Sequence, residues 1–154
     1  AGGIDILTES RVGALRGAVG AQGIALPVDP WAARDAYVDV VLGLETADTF
    51  SERLLGQTAD PPVRRELEAL MEAQRWRLAM FASDGWYWEE PNRPETKQAL
   101  RCAARAAQLV DGIAGTHLER RLVEDLALAI SPDRVGNGAA IYREALAEVG
   151  QRPA

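Results

Sequence analysis

Apolar residues recur at helical spacing along most of the chain, and the clearest run follows Asp60-Pro61-Pro62. There the apolar positions repeat every three to four residues over about five turns, which is the period of an amphipathic helix. The positions are Val63, Leu67, Leu70, Met71, Leu78 and Phe81. The pattern predicts a helix that starts near Pro61, ends before Gly85 and buries this face.

Boundary signals predict further helices. Asp29-Pro30 pairs a good N-cap with a residue suited to the first helical turn, and Pro94 opens another helix. Together with the apolar spacing, such signals predict helices over about 8–23, 30–43, 44–55, 94–112, 116–130 and 138–149. No stretch alternates apolar and polar residues as a strand would. The prediction is an all-α fold, a compact array of about six to seven helices with no sheet.

Two helix starts carry more specific signals. Thr116-His117-Leu118-Glu119 matches a capping box, in which the Thr and Glu side chains satisfy N–H groups at the start of a helix. Gly136-Asn137-Gly138 predicts a tight turn with a cap, although its N–H groups could also hold an anion. No strand precedes it, as a dinucleotide fingerprint would require. The predicted buried stripes are Leu100, Ala103, Ala107 and Val110 in one helix, and Leu118, Leu122, Leu126 and Ile130 in the next.

Length and composition fit one globular domain. The chain has 154 residues, so we expect a single helical domain over 1–154, with 1–28 the least certain part. Hydrophobic residues make up 47% and charged residues 26%, a mixture that argues against disorder. The net charge of −6 argues against nucleic acid or an anionic membrane surface as a partner. No apolar run has the length of a membrane span.

The single cysteine and the first residues indicate a compartment and a context. Cys102 has no second cysteine to pair with, and one free thiol suits a reducing compartment, so we expect a cytoplasmic protein. No basic segment followed by an apolar stretch indicates a signal peptide. The chain starts Ala1-Gly2-Gly3 without Met, so we expect a piece of a longer protein.

An aromatic-rich connection, at about residues 82–93, is the long loop of the predicted fold. Five of the nine aromatic residues lie between positions 76 and 88. Indole faces can stack on sugar rings, and nearby carboxylates can accept hydrogen bonds from hydroxyls. The same aromatics could instead seal the core, each indole N–H finding a carbonyl. Both interpretations remain open from the residue types alone. Gly85 is expected to serve the backbone conformation of this loop.

Catalytic and metal chemistry find little support in the sequence. A glycosidase needs two carboxylates on opposite sides of the bond, whereas Glu89-Glu90 and Glu124-Asp125 are merely adjacent. A single histidine, His117, cannot supply the repeated Glu-x-x-His of a di-metal bundle. Cys102 lies on an alanine-rich helix and is expected to be a packing residue. We therefore expect no catalytic residues, no metal site and no cofactor.

Four stretches resemble a known family. They are WAARDAY at 31–37, FASDGWYWEE at 81–90, ET at 95–96 with AARAAQL at 103–109, and GNGAAIY at 136–142. They resemble the motifs of a helical domain of unknown function that follows the catalytic barrel in some glycoside hydrolase family 57 proteins, of α-amylase- or α-mannosidase-like type. The resemblance covers about Trp31 to Glu148. It departs at Asp84, where the family motif usually has Cys.

The resemblance implies a partner and a set of site residues. The intact protein would carry an N-terminal (β/α) barrel with a glutamate nucleophile and an aspartate acid/base, neither of which is in this chain. A helical region of this kind packs on the barrel and can lend aromatics to an α-glucan or oligosaccharide site. By that analogy Trp86 and Trp88 would face sugar, with Asp84 and Glu89 at the rim. Gly85, Trp31 and Pro94 are expected to be structural.

Two functional hypotheses follow. The first is a non-catalytic accessory domain that completes a glycan site on a barrel of the same polypeptide. The second is a purely structural or protein-interaction module, in which the aromatic loop touches no sugar. Separation from the barrel would expose apolar surface, so self-association of the isolated domain is also expected.

Overall fold

The computed structural model describes residues 29–57, 59–85, 87–130 and 136–150, with only the backbone of 149 and 150. The helix predicted over about 8–23 and the side chain of Trp86 lie outside these residues. The chain divides into two compact units, Ala1–Gln74 (unit 1) and Arg75–Ala154 (unit 2). The expectation of one domain remains a prediction.

The described part of unit 1 is built from helices with well-defined ends. They are α1 (Pro30–Ala36), α2 (Val38–Val41), α3 (Ala47–Leu55) and α4 (Pro61–Ala79), which continues into unit 2. As predicted, the Asp29 carboxylate caps α1 by accepting from the backbone N–H of Trp31 at 3.2 Å. Helix α3 starts later than predicted, because the Thr46 side chain accepts from the N–H of Thr49 and fixes the start there. It ends at Gly56, whose φ is 86°.

Large side chains fill the core of unit 1. Phe50 on α3 and Leu67, Leu70 and Met71 on α4 are almost completely buried. The edge of the Tyr37 ring meets Phe50 with centroids 5.1 Å apart, a favourable T-shaped contact. Two polar groups at this core form hydrogen bonds, because Tyr37 donates to Glu72 at 3.0 Å and Ser51 donates to Glu68 at 3.1 Å.

Unit 2 packs three helices with small side chains. Its described elements are a 3-10 turn (Ser83–Gly85), α5 (Pro94–Ala114), α6 (Leu118–Leu126) and α7 (Gly138–Gly150), and the three α-helices all pack against one another. Gly115, at φ 62°, ends α5. Alanines dominate the buried positions, because a Cβ methyl lets helix backbones approach closely. The buried apolar side chains are Ala99, Cys102, Ala104, Ala106, Ala107, Val110, Ala139, Ile141, Tyr142 and Ala145.

The start of α6 corrects the capping-box prediction. The helix begins at Leu118, and the side chain of the preceding residue, His117, forms no capping hydrogen bond. The Asp111 carboxylate on α5 takes that role, accepting from the N–H groups of Leu118 at 2.7 Å and Glu119 at 3.0 Å. The Thr116 hydroxyl also donates to Asp111, at 2.5 Å. A carboxylate is a stronger acceptor than a hydroxyl, so it displaces the local Thr cap.

The ends of two predicted buried faces are exposed. Leu78 and Phe81 were expected in the core, yet about half of each is accessible. Helix α4 ends at Ala79, so Phe81 no longer continues its face, and Leu78 lies in its last turn. Ile130 is also exposed, because α6 ends at Leu126 and Ile130 instead forms an antiparallel bridge with Asn137. Periodicity assigns a face, but burial also needs a packing partner along that face.

The all-α prediction is confirmed, since the described residues form helices and, apart from the bridge of Ile130 and Asn137, no strand pairing. The predicted turn before the last helix is also present. The Asn137 side chain accepts from the N–H of Ala140 at 3.0 Å and caps α7. Across the described ranges, no helix is both long enough and apolar enough to cross a membrane.

Candidate functional site

The loop between α4 and α5 is anchored on the first turn of α5. Gly85 is buried, and a Cβ there would lie 2.9 Å from the Ala99 methyl and 3.3 Å from the carbonyl oxygen of Glu95. The Thr96 hydroxyl donates to the Gly85 carbonyl at 3.2 Å. Any residue larger than glycine would therefore push the loop away from α5. The loop is held at one end by direct backbone contact.

Beyond this anchor, two aromatic side chains are open to solvent. Tyr87 is 78% exposed and Trp88 49% exposed. Their rings meet edge to face, 5.1 Å apart and inclined by 84°. The Arg93 guanidinium lies 4.1 Å from the centre of the Trp88 ring and covers one of its faces, a cation–π contact. The more open ring, and the better platform for a ligand, is therefore Tyr87.

Charged groups lie on the same loop as the two rings. The carboxylates of Asp84, Glu89 and Glu90 are exposed on the loop. Arg93 also donates to Glu95 at 3.3 Å, so its guanidinium is held between a carboxylate and the Trp88 ring. The pKa of Glu95 lies below its ordinary value because its own backbone N–H donates to the carboxylate and Arg93 lies beside it. Aromatic faces next to ionised carboxylates can bind a hydroxylated ring by stacking and hydrogen bonding.

The predicted site residues divide by position. Asp84, Trp88 and Glu89 lie together on the loop and are exposed, while Trp86 lies outside the described residues. Pro94 is the first residue of α5. Trp31 lies in unit 1 on the first turn of α1, with the Arg34 guanidinium 5.2 Å from its ring centre. The sugar-binding role of the loop residues stays a prediction.

Sequence reasoning missed Tyr87 and Arg93 as members of this site. Tyr87 directly follows Trp86, which was the residue assigned to sugar. The sequence alone does not indicate that the Tyr87 side chain is exposed. For Arg93 a signal existed, because a residue before proline is extended. Arg93 has φ −79° and ψ 152°, and its side chain contacts Trp88 rather than following the helix.

Two further cavities lie elsewhere. In unit 1, a cavity of about 680 Å³ is bordered by Asp39, Thr49 and the ion pair of Arg53 with Glu45. Arg53 donates to both carboxylate oxygens of Glu45, at 3.1 and 2.8 Å, so these charges satisfy each other. In unit 2, a cavity of about 480 Å³ lies beside Trp76 and the polar face of α5.

Other candidate chemistry is placed unfavourably for catalysis. Cys102 is buried, and burial raises the pKa of its thiol, which disfavours the reactive thiolate. His117 is exposed, and Glu124 pairs with Arg120 at 3.5 Å. Within the described ranges, no three or more His, Cys, Asp or Glu side chains are grouped to hold a metal ion.

Comparison with known proteins gives a family without an assigned activity. No curated protein and no solved structure matches the chain. The model of the family described as Domain of unknown function (DUF3536) matches residues 6–150. That range includes both units, from before α1 to the end of α7. The chain therefore belongs to the DUF3536 family of domains of unknown function.

Proposed function

We propose that this chain is a non-catalytic accessory domain of a cytoplasmic glycoside hydrolase family 57-like protein, and that its aromatic loop contributes to an α-glucan site. The catalytic barrel would be the N-terminal part of the same polypeptide. Support for the parent protein comes from the four sequence stretches that resemble the helical domain following such barrels. Support for the sugar contact comes from the loop itself.

The observation that carries the sugar contact is the exposure of Tyr87 and Trp88 on an anchored loop. An isolated exposed aromatic is common on protein surfaces. Here two rings are held in a fixed edge-to-face arrangement, and Gly85 ties the loop to α5. A preorganised platform loses less conformational entropy when a ligand binds.

In the proposed complex, the Tyr87 ring stacks on the apolar face of a glucose unit. The carboxylates of Glu89 and Asp84 accept hydrogen bonds from its hydroxyls, and Arg93 keeps the Trp88 ring in place beside it. Trp86, assigned to sugar by the resemblance, would add a further stacking surface. No residue of this loop acts as acid or base in this proposal, since the chemistry belongs to the barrel.

A second candidate, a protein-interaction module, is favoured by a different surface in unit 1. The segment around α2 exposes Val38, Val41, Leu42 and Leu44, and Leu44 is 74% accessible. Four exposed aliphatic residues within seven positions are more than scattered surface apolar residues, and such patches mark contact surfaces. The patch would meet the barrel or, in the isolated domain, a second copy of the chain.

Isothermal titration calorimetry of the whole chain with maltoheptaose tests the sugar contact. We expect saturable binding that Tyr87→Ala, Trp88→Ala and Trp86→Ala each weaken about two- to tenfold, the range for loss of an aromatic contact. Trp31→Phe, on α1, is the matched control and should bind as the wild type does. Cellohexaose tests whether the α-linkage matters.

Absence of heat with maltoheptaose, or equal affinity in the loop variants and the wild type, would overturn the sugar contact. The interaction candidate is then tested by sedimentation velocity over a range of protein concentrations. Leu42→Glu and Leu44→Glu should abolish self-association, whereas Leu128→Glu, an equally exposed position on unit 2, should leave it unchanged.

A further inference from the structure

The cavity beside Trp76 has a polar wall of one helix and an apolar wall of two others. Gln98, Arg101, Arg105 and Gln108 are spaced three and four residues apart, so they share one face of α5. The indole of Trp76 on α4 and the side chain of Leu146 on α7 complete the cavity. Its volume of about 480 Å³ lies in the range of small-molecule sites.

The charge of this cavity is opposite to that of the chain. Two arginines and no carboxylate line it, although the chain carries a net charge of −6. Arg101 is already engaged, since it donates to the Ala145 carbonyl at 2.8 Å and pairs with Glu148. Arg105 forms no side-chain hydrogen bond or ion pair with any described residue. Its guanidinium is therefore available to an anion.

A third guanidinium, outside the cavity lining, lies near the indole. That of Arg75 is 4.9 Å from the centre of the Trp76 ring, so one face of the ring carries a cation. Trp76 borders the cavity together with Ala104 and Leu146. The site thus combines positive charge with an apolar surface large enough for one ring.

The two glutamines supply hydrogen-bond acceptors. The amide N–H of Gln98 donates to the Cys102 sulfur at 3.8 Å, and that of Gln108 donates to Glu119 at 2.9 Å. These bonds orient each amide, and its carbonyl oxygen accepts no hydrogen bond from the described residues. A ligand with hydroxyl donors would satisfy both oxygens.

We propose that this cavity binds a monosaccharide carrying one anionic group, a phosphate or a carboxylate. Arg105 pairs with the anion, the Trp76 indole contacts the ring, and the Gln98 and Gln108 oxygens accept from its hydroxyls. This site shares no residue with the aromatic loop, so the proposal stands apart from the proposed glucan contact and each can fail alone.

Isothermal titration calorimetry of the whole chain tests the site with glucose 6-phosphate, glucuronate, glucose and inorganic phosphate. We expect saturable binding of at least one charged sugar, with glucose and inorganic phosphate at least about tenfold weaker, since each lacks one half of the recognition. The preference between glucose 6-phosphate and glucuronate distinguishes a phosphate from a carboxylate ligand. No saturable heat with either charged sugar, or affinity for glucose equal to theirs, would overturn the proposal.

Substitutions of two exposed residues test which side chain contacts which part of the ligand, without disturbing the core. Arg105→Gln should weaken the charged sugar at least about tenfold, the worth of a hydrogen bond to a charged group. Gln98→Met should weaken it about threefold while leaving the weak binding of inorganic phosphate unchanged. Arg121→Gln, an exposed arginine on α6, is the matched control. Equal losses in Arg105→Gln and Arg121→Gln would mean that only general charge attraction is involved, which refutes a specific site.

Discussion

The two units of the molecule bury their cores with different side chains. Unit 1 relies on large side chains, because Phe50, Leu67, Leu70 and Met71 are almost completely buried. Unit 2 relies on close backbone approach, with alanines at most of the buried positions of α5 and α7. A buried methyl removes far less apolar surface from water than a buried phenyl ring. Loss of side-chain volume should therefore be most destabilising in unit 1, and gain of side-chain volume should be most destabilising in unit 2.

Unit 2 adds polar links where its side chains are small. The Lys97 ammonium on α5 lies 2.9 Å from both Glu144 and Glu148 on α7, and its pKa is raised by the hydrogen bonds to these carboxylates. Tyr142 on α7 donates to Glu119 on α6 at 2.6 Å, and burial together with this bond raises the pKa of its hydroxyl. Directional bonds of this kind set the register of three closely packed helices.

The largest expected effect is the removal of volume from unit 1. Phe50→Ala should lower the free energy of unfolding by about 3–5 kcal/mol, because it leaves a cavity beside Tyr37 that the helices cannot fill. Chemical denaturation followed by circular dichroism measures the loss. Phe81→Ala is the matched control, since half of that ring is exposed, and should cost under about 1 kcal/mol. Equal losses in the two variants would show that unit 1 does not depend on its large side chains.

The next effect is the addition of volume to unit 2. Ala145→Leu should destabilise by about 1–3 kcal/mol, because Ala145 is fully buried on α7 and three extra carbons must separate the packed helices. Ala147→Leu, on the exposed face of the same helix, should be close to neutral. Thermal unfolding measures the stability of the two variants against the wild type. If Ala145→Leu leaves the stability unchanged, the helices of unit 2 have room between them, and unit 2 does not depend on small buried side chains.

The contrast between the units also explains which parts of the structure the sequence predicts. The helix start at Asp29 depends on neighbouring residues, and large apolar residues mark the buried face of α4, so local patterns identify these two features. On α5, Ala107 and Val110 of the predicted stripe are buried, but Leu100 and Ala103 are only half-buried. The helix also buries residues outside the predicted stripe, namely Ala99, Cys102, Ala104 and Ala106. An alanine-rich helix has too little contrast between its faces for periodicity to fix its rotation.

The remaining differences arise from contacts between distant residues. The cap of α6 comes from Asp111, on another helix, so a four-residue motif could not reveal it. The candidate site also depends on contacts that the local sequence does not reveal. An aromatic cluster was evident in the sequence, but the exposure of Tyr87 and the stacking of Arg93 on Trp88 depend on how the loop is anchored at Gly85.

The smallest predicted effect tests whether polar links support the small-residue core. Asp111→Ala removes three hydrogen bonds at the α5–α6 connection and should cost about 1 kcal/mol near neutral pH, a typical value for a lost helix cap. Asp125→Ala, an exposed carboxylate on α6, is the matched control and should be neutral. Thermal unfolding at several pH values measures both variants against the wild type.

The pH dependence of this difference identifies the carboxylate as the cause. Burial raises the pKa of Asp111, but the bonds from Thr116 and from the N–H groups of Leu118 and Glu119 outweigh it and leave the pKa below its ordinary value. A lowered pKa stabilises the fold above the unfolded value, about 4, and this contribution is lost as the pH falls through the folded value. The difference in the free energy of unfolding between wild type and Asp111→Ala should therefore be constant from about pH 5 to about pH 7 and should narrow below about pH 4. A gap that persists undiminished at about pH 2 would mean that Asp111 acts through packing alone, and that unit 2 does not depend on this ionic cap.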